Sequence, residues 1–442
     1  MKRFLIFCVG LFVATVPLLQ AQGESPQGVS PDEARFRALE DRIRALEGEI
    51  VALRAAQPSG AAPSPAVQEP VQVPSAPLPI YGGAAALSKA LNPDIGVIGN
   101  FIGGSGRNII NPSPALTLSE SEFSFQAIVD PYARADFFLA VGEEGAAVEE
   151  GYITFQALPG GLSLKAGQMR SSFGKINPFH NHSLPWVDRP LLTYNLLGGE
   201  LGEADAGIKD AGLSLSRILP APPGLFLEGT AEVYAGNSGE LFESSRRSDV
   251  STLYRLRGYK DLSESTNLEV GGSYARGHND LGSDFLTHVA GLDATLRWKP
   301  LRRAIYHSFV ARTEFVWSRR EDVQPLVVSS PWYDPCAFTL PSENGCQPTG
   351  PRTTLKANGF YVSADYQLAR RWFGGARFDW TERARDPFAH DSAQSLVLTF
   401  WPSEFSQIRG QLRRTQYAEG HTANEFLFQF QYTLGAHGAH PF

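Results

Sequence analysis

From about residue 92 to the C-terminus, apolar and polar residues alternate with a period of two, which is typical of β-strands with one apolar and one polar face. The pattern is clearest in residues 425–434, EFLFQFQYTL. Tight connections, such as the one at Pro159 and Gly160, alternate with long ones, including 171–206 and 319–353, as in outer-membrane barrels. The predicted strands are sixteen in number and lie near 94–103, 119–129, 133–142, 148–158, 161–170, 207–219, 224–235, 252–262, 266–277, 286–299, 304–318, 354–368, 370–382, 391–402, 404–416 and 424–434.

Two architectures use such strands, and the positions of the aromatic residues distinguish them. In a soluble β-sandwich or jelly roll, aromatic residues would concentrate in mid-strand, beneath a second sheet. Here many aromatic residues lie near strand ends, which fits the two girdles of a lipid-facing barrel: Tyr132, Tyr152, Trp298, Tyr306, Trp317, Trp372, Trp380, Trp401, Tyr417 and Tyr432. The sequence therefore predicts an all-β fold, a 16-stranded antiparallel transmembrane β-barrel over residues 92–442, wide enough for an aqueous channel.

Three further segments are predicted before the barrel. Residues 1–21 have the basic start, the apolar run and the small residue Ala21 of a secretory signal peptide, with a retained membrane anchor as the alternative. Residues 32–56 are predicted to form a short N-terminal α-helical coiled coil, and two Arg-containing repeats in register favour a trimer over a dimer. Residues 57–79 contain seven Pro and predict an extended linker. The apolar seam of the coiled coil is formed by Phe36, Leu39, Ile43, Leu46, Ile50 and Leu53.

Composition narrows the class of protein. The chain has 442 residues, of which 19% are charged, and a formal net charge of -7, which argues against nucleic acid as a partner because nucleic-acid binders carry a concentrated basic face. A mean hydropathy of -0.18 excludes a helical membrane protein. Cys336 and Cys346 are the two cysteines left after signal removal, and in an exported chain they predict a loop-closing disulfide rather than a metal site.

Several segments resemble a known family of channels. These are YITF at 152–155, GLSLKAGQM at 161–169, FGKIN at 173–177 and FWPSEF at 400–405, which are similar to stretches of the phosphate-selective porin O/P-like family. The resemblance covers roughly residues 92–442 and implies a sixteen-stranded trimeric channel, which in some members has an N-terminal extension. The family's phosphate selectivity depends on a dense basic constriction, and this chain departs from that pattern with eight Lys in all.

The polar strand faces and the segment 171–206 supply the candidate pore-lining residues. The segment is too long for a turn and is expected to fold into the lumen and narrow it, with a purely extracellular loop as the alternative. A ladder of Arg377, Arg409 and Arg413 is compatible with a preference for anions, because selectivity follows local charge. His180 and His182 could be metal ligands, but lone pairs of this kind are usually incidental, and neither a metal nor a cofactor is predicted. The candidates are Arg134, Asp136, Lys165, Lys175, His180, His182, Asp188, Arg297, Arg312, Arg377, Arg409 and Arg413.

The predicted function is that of an outer-membrane porin that lets small hydrophilic solutes or ions diffuse passively. The expected location is the outer membrane of a Gram-negative-type bacterium, with lipid around the barrel, the coiled coil in the periplasm, a homotrimeric assembly and insertion by the barrel-assembly machinery. The alternative is a structural barrel that tethers the membrane to the cell wall through its coiled coil, and an adhesin acting through the cysteine-closed loop is a third class. No catalytic residue is predicted, because the sequence contains no Gly-x-Ser-x-Gly, His-Glu-x-x-His or P-loop motif.

Overall fold

Alternating strands close into one antiparallel sheet in the computed structural model, which describes residues 93–142, 145–199, 201, 206–324 and 351–435. The strands are β1 (Asp94–Arg107), β2 (Thr117–Asp130), β3 (Ala133–Gly142), β4 (Gly145–Leu158), β5 (Leu162–Arg170), β6 (Lys209–Ile218), β7 (Leu225–Tyr234), β8 (Ser251–Ser263), β9 (Thr266–Asn279), β10 (Gly282–Trp298), β11 (Phe309–Val323), β12 (Arg352–Ala369), β13 (Trp372–Arg383), β14 (Asp386–Ser403), β15 (Ser406–Gln416) and β16 (Thr422–Gly435). Each pairs with its sequence neighbours, and β1 pairs with β16 to complete the barrel. The predicted sixteen-stranded antiparallel barrel is confirmed.

Several predicted features lie outside the described residues. These are the signal peptide 1–21, the coiled coil 32–56 with its apolar seam, the linker 57–79, and the cysteines Cys336 and Cys346. They stay predictions. Within the part of the chain that is described, no helix has the length and hydrophobicity needed to cross a membrane.

The two faces of the sheet differ in chemistry as a period of two requires. On β13, the polar residues Arg377, Asp379 and Thr381 are buried, whereas Phe378 between them is 39% exposed. On β16, Gln429 is buried while its aromatic neighbours on both sides are not. In a closed barrel the buried set faces the interior, so these polar side chains point inward and the aromatic ones point outward.

The connections follow the predicted alternation of tight turns and long loops only in part. The turns at 131–132 and 404–405 are tight and lie at one end, and the long connections between β5 and β6 and between β7 and β8 lie at the other. However, β13 and β14 are joined at the long-loop end by a turn of two residues, 384–385. The turn is short because the pairing of β13 with β14 continues until Arg383 pairs with Asp386. The connection between β5 and β6 contains a 3-10 helix, Asn181–Ser183, and a short α-helix, α1 (Leu191–Leu197).

Candidate functional site

The connection between β5 and β6 brings together many of the candidate residues. We call its residues 171–199 the inserted segment, because they contact inward-facing side chains on widely separated strands. The N–H of Ser172 donates to Glu232 of β7 at 3.0 Å, and the N–H of Leu191 donates to Asp379 of β13 at 3.3 Å. Five strands lie between these two positions along the wall. The segment therefore lies inside the barrel.

Apolar side chains of the inserted segment form a core with the wall. Trp186 is fully buried and packs edge-on against Tyr361 of β12, with 5.4 Å between ring centres. Burying one large apolar side chain contributes about 1.5–3 kcal/mol, so a core of this size holds the segment firmly. The other buried members are Phe173, Ile176, Leu184, Leu192, Leu196 and Leu197 on the segment, Leu253, Ala275, Val289, Val316, Ala357 and Val397 on the strands, and Ile208, Leu241 and Phe242 in connections between strands.

Near its beginning, the inserted segment crosses β9 and β11. Lys175 Nζ lies 2.7 Å from Glu269 Oε1, and the N–H of Gly174 donates to Ser273 Oγ at 3.1 Å. Gly174 has a φ of 58°, and a Cβ at this position would collide with the carboxylate of Glu314, so the close approach requires glycine. Burial lowers the pKa of Lys175, and the attraction of Glu269 offsets only part of that effect.

Further along, the inserted segment presents a carboxylate to arginines of the wall. Asp188 Oδ2 lies 2.9 Å from Arg377 of β13 and 2.9 Å from Arg413 of β15, and Gln411 donates to Asp188 Oδ1 at 2.6 Å. We call these residues the Asp188 cluster. The Arg377 guanidinium also lies over the Trp186 ring, 4.7 Å from its centre. Asp188 is therefore in direct contact with two other predicted pore residues, of which Arg413 is 225 positions away in the sequence.

Each arginine of the Asp188 cluster has a second acidic partner on the wall. Arg377 pairs with Asp379 at 2.7 Å, and Arg413 pairs with Glu425 at 2.8 Å. Burial opposes the ionisation of Asp188, but the two guanidinium groups outweigh it and lower the pKa of Asp188 to about 2. Asp188 is therefore ionised at neutral pH, and the positive charges of Arg377 and Arg413 are balanced by carboxylates.

The two histidines of the inserted segment meet a second, oppositely charged part of the wall. His180 Nδ1 lies 2.6 Å from Glu122 Oε2 on β2, and His180 Nε2 lies 3.2 Å from Glu150 Oε2 on β4. His182 Nδ1 lies 3.4 Å from the same Glu122 oxygen. Together with Glu120 and Glu149, which also reach these imidazoles, these residues are called the His180 cluster.

The His180 cluster is shielded from solvent and rich in carboxylates. All six side chains of the cluster are at least nine-tenths buried. Burial disfavours a charged imidazole, but the carboxylates of Glu122, Glu149 and Glu150 overcome this effect and hold the pKa of His180 well above its ordinary value. Because both ring nitrogens face carboxylates, a protonated imidazole satisfies both contacts.

The remaining candidates lie along the wall. Lys165 Nζ lies 4.5 Å from the centre of the Tyr152 ring, and Arg409 donates to Gln429 at 2.7 Å and to the Trp186 carbonyl at 3.0 Å. Ion pairs join Arg134 to Asp136 at 2.8 Å, Arg297 to Glu269 at 3.6 Å and Arg312 to Asp365 at 2.5 Å. Over the described strands, most of the predicted basic ladder is therefore paired with acidic side chains.

Sequence reasoning missed three carboxylates of the His180 cluster, namely Glu120, Glu149 and Glu150. Strict alternation would turn one of the consecutive residues Glu149 and Glu150 outward. Instead, Phe138 faces Glu150 while Leu139 faces Val148, so Glu149 is the extra residue of a β-bulge and both glutamates are buried. The signals in the sequence were the alternation, which places Glu120 on the same face of its strand as Glu122, and the concentration of acidic residues in 120–122 and 149–150.

Comparisons with known proteins give the following similarities. No family model matches the chain, so the resemblance to the phosphate-selective porin O/P-like family is not confirmed. An uncharacterized protein of Aquifex aeolicus (strain VF5) is 29% identical over 371 residues, which cover 77% of this chain and 73% of that protein. An anion-selective porin from Comamonas acidovorans is 10% identical with a TM-score of 0.49, covering 77% of this chain and 98% of the porin. The outer-membrane channel DcaP of Acinetobacter baumannii is 12% identical with a TM-score of 0.45, covering 78% of this chain and 96% of the channel.

Proposed function

We propose that the protein is an outer-membrane porin that forms a water-filled channel for passive diffusion of small hydrophilic solutes or ions. The observation that carries the proposal is the closed barrel with an apolar outer surface and a charged, hydrogen-bonded interior. Outward-facing residues such as Leu396, Leu412 and Leu434 are 58–61% exposed, a costly arrangement in water and a favourable one in lipid. The proposal is of a passive channel, without a catalytic role.

The inserted segment is proposed to be the constriction of this channel. It crosses the barrel interior and contacts inward-facing side chains of β2, β7, β13 and β15. The side chains of the Asp188 and His180 clusters are largely buried, so they would shape the constriction by fixing the position of the segment and not by direct contact with a solute.

Ion selectivity is proposed to be weak. A strong preference for anions requires basic side chains without acidic neighbours, but Arg377 and Arg413 share Asp188 and each has a further carboxylate. Lys165 is partly exposed and has no ion-pair partner among the described residues, so a residual anion preference would come from this side chain. Arg409 is buried and donates to Gln429 and to the Trp186 carbonyl. Neutral or zwitterionic solutes are therefore as suitable as anions.

The test is single-channel conductance of the refolded mature protein in a planar bilayer, with the reversal potential measured under a salt gradient. We expect conductance steps in groups of three, from the proposed homotrimer, and a reversal potential close to zero. Folding is checked by the change in electrophoretic mobility on heating. Folded protein that conducts no ions would refute the channel, and a reversal potential near the anion limit would refute weak selectivity.

A further inference from the structure

The His180 cluster contains nitrogen and oxygen atoms at spacings that suit a metal ion. Zinc-ligand bonds of about 2.0–2.1 Å place the ligand atoms of a tetrahedral site about 3.3 Å apart. Glu122 Oε2 lies 3.4 Å from His182 Nδ1, and Glu120 Oε1 lies 3.6 Å from the same nitrogen. The ligand atoms of Glu122, His180 and His182 all lie within 4.8 Å of one another. The shorter contact of 2.6 Å between Glu122 and His180 would open slightly on binding.

A second observation is that one buried carboxylate oxygen of the cluster is available to bind a cation. Glu120 Oε1 is buried, lies 3.6 Å from His182 Nδ1 and accepts no hydrogen bond from the described residues. Leaving a buried carboxylate oxygen without a donor costs at least about 1–3 kcal/mol, so this oxygen gains from a cation placed between it and the imidazole.

The cluster is rich in carboxylates. Four of them, from Glu120, Glu122, Glu149 and Glu150, converge on the two imidazoles, and Arg170 lies 3.4 Å from Glu149. The buried Arg189 guanidinium also interacts electrostatically with Glu149 and Glu120, so carboxylates and basic groups are equal in number. In contrast to the Glu120 carboxylate, both oxygens of the Asp188 carboxylate accept hydrogen bonds from basic or amide donors.

We propose that His180, His182 and Glu122 form a binding site for a divalent first-row transition-metal ion, with Glu120 in position to supply a fourth ligand. Two imidazoles and a carboxylate suit zinc or iron and disfavour calcium and magnesium, which prefer oxygen ligands alone. The site joins the inserted segment to β2, so a bound ion crosslinks the two. The sequence alone favoured an incidental histidine pair, because the carboxylates come from strands 30 to 60 positions away.

The test is titration of the refolded full mature chain, first stripped with a chelator, with Zn²⁺ in a calorimeter. We expect one ion per chain. Changing an outer partner of a metal ligand typically costs about 10- to 100-fold in affinity, so H182Q and E122Q, which remove ligands, are each expected to lose at least that much. The double variant H437Q/H440Q changes the other closely spaced histidine pair of the chain and should bind as the unchanged protein does.

Co²⁺ provides a readout that depends on ligand identity. Its visible absorption reports nitrogen and oxygen ligands, and the band should be present in the unchanged protein and in H437Q/H440Q but lost in H182Q. If E122Q fails to fold, as judged by heat-modifiable mobility, H182Q alone decides the matter. Unchanged Zn²⁺ affinity in a folded H182Q, or no binding by the unchanged folded protein, would overturn the proposal. Conductance is recorded on the same samples, so a failure of metal binding is distinguished from a failure of the channel.

Discussion

The inserted segment is held by two clusters in which the charges are distributed in opposite ways. At the Asp188 cluster the segment supplies the carboxylate and the wall supplies two guanidinium groups. At the His180 cluster the segment supplies imidazoles and the wall supplies carboxylates. The first is complete in itself, whereas in the second a buried oxygen of Glu120 accepts no hydrogen bond from the described residues. The Asp188 cluster therefore serves as an anchor, and the His180 cluster can still bind a ligand.

The largest effect is expected at Trp186, whose ring packs against the Arg377 guanidinium of the Asp188 cluster. The variant W186A removes a fully buried indole and should lower the free energy of unfolding by about 3–5 kcal/mol. It should also raise single-channel conductance, because the segment loses its main apolar contact with β12. Urea unfolding and bilayer recording measure the two effects. W317A, on the outer face, is the control and should leave conductance unchanged.

Breaking the Asp188 cluster should have the next largest effect. D188A leaves two buried guanidinium groups with one carboxylate each, and we expect a loss of about 3 kcal/mol, at the low end for a broken buried ion pair. Urea unfolding measures it. The control E419Q disrupts an exposed pair with Arg383 and should cost at most about 1 kcal/mol. Equal losses in the two variants would contradict an anchoring role for Asp188.

A smaller effect is expected at the His180 cluster in metal-free protein. E122Q removes the charge that faces both imidazoles, and hydrogen bonds to charged groups contribute about 1.5–3 kcal/mol, so we expect a loss of about 2 kcal/mol in urea unfolding. Because other carboxylates remain around His180, the loss should be smaller than in D188A. A larger loss in E122Q than in D188A would reverse the assignment of anchor and ligand site.

The smallest effect is expected in the pH dependence of the stability that Asp188 contributes. Since the pKa of Asp188 is lowered to about 2 in the folded protein, its contribution is present above its unfolded value near 3.8 and is lost as the pH falls toward 2. By pH 3 the stability difference between the unchanged protein and D188N should shrink by about 1 kcal/mol. Denaturant titrations at pH 6 and pH 3 measure it, and a difference that does not change with pH would contradict the ion pairing. The charged and titratable groups that face Asp188 are Arg377, Arg413, Asp379 and Tyr194.

The sequence predicted the strands better than it predicted the interior. Alternation alone identified β13 and the inward direction of Arg377 and Asp379. It did not predict that Val289 and Val316 also face inward, because a wet lumen would leave apolar side chains exposed. The inserted segment covers them, and no local pattern reports that contact.

The contacts of the two clusters could not be predicted for a related reason. Asp188 meets Arg377 and Arg413 only because the segment turns back across the barrel, and that path is set by tertiary packing. Glu149 joins the His180 cluster through a bulge, which shifts the faces of a strand by one residue. Residue types and strand spacing were readable in the sequence, whereas contacts over long separations were not.

The pairing of β1 with β16 sets an order of events during assembly. All the other ladders join strands that follow one another in the chain, but this one joins Gly96 to Gly435, hundreds of positions apart. Contacts of such separation form slowly, and until they form, both terminal strands present unpaired edges that can recruit another chain. The strand that closes the barrel is thus β16, which follows all the other described strands in the chain, and a barrel without it would leave the edges of β1 and β15 unpaired.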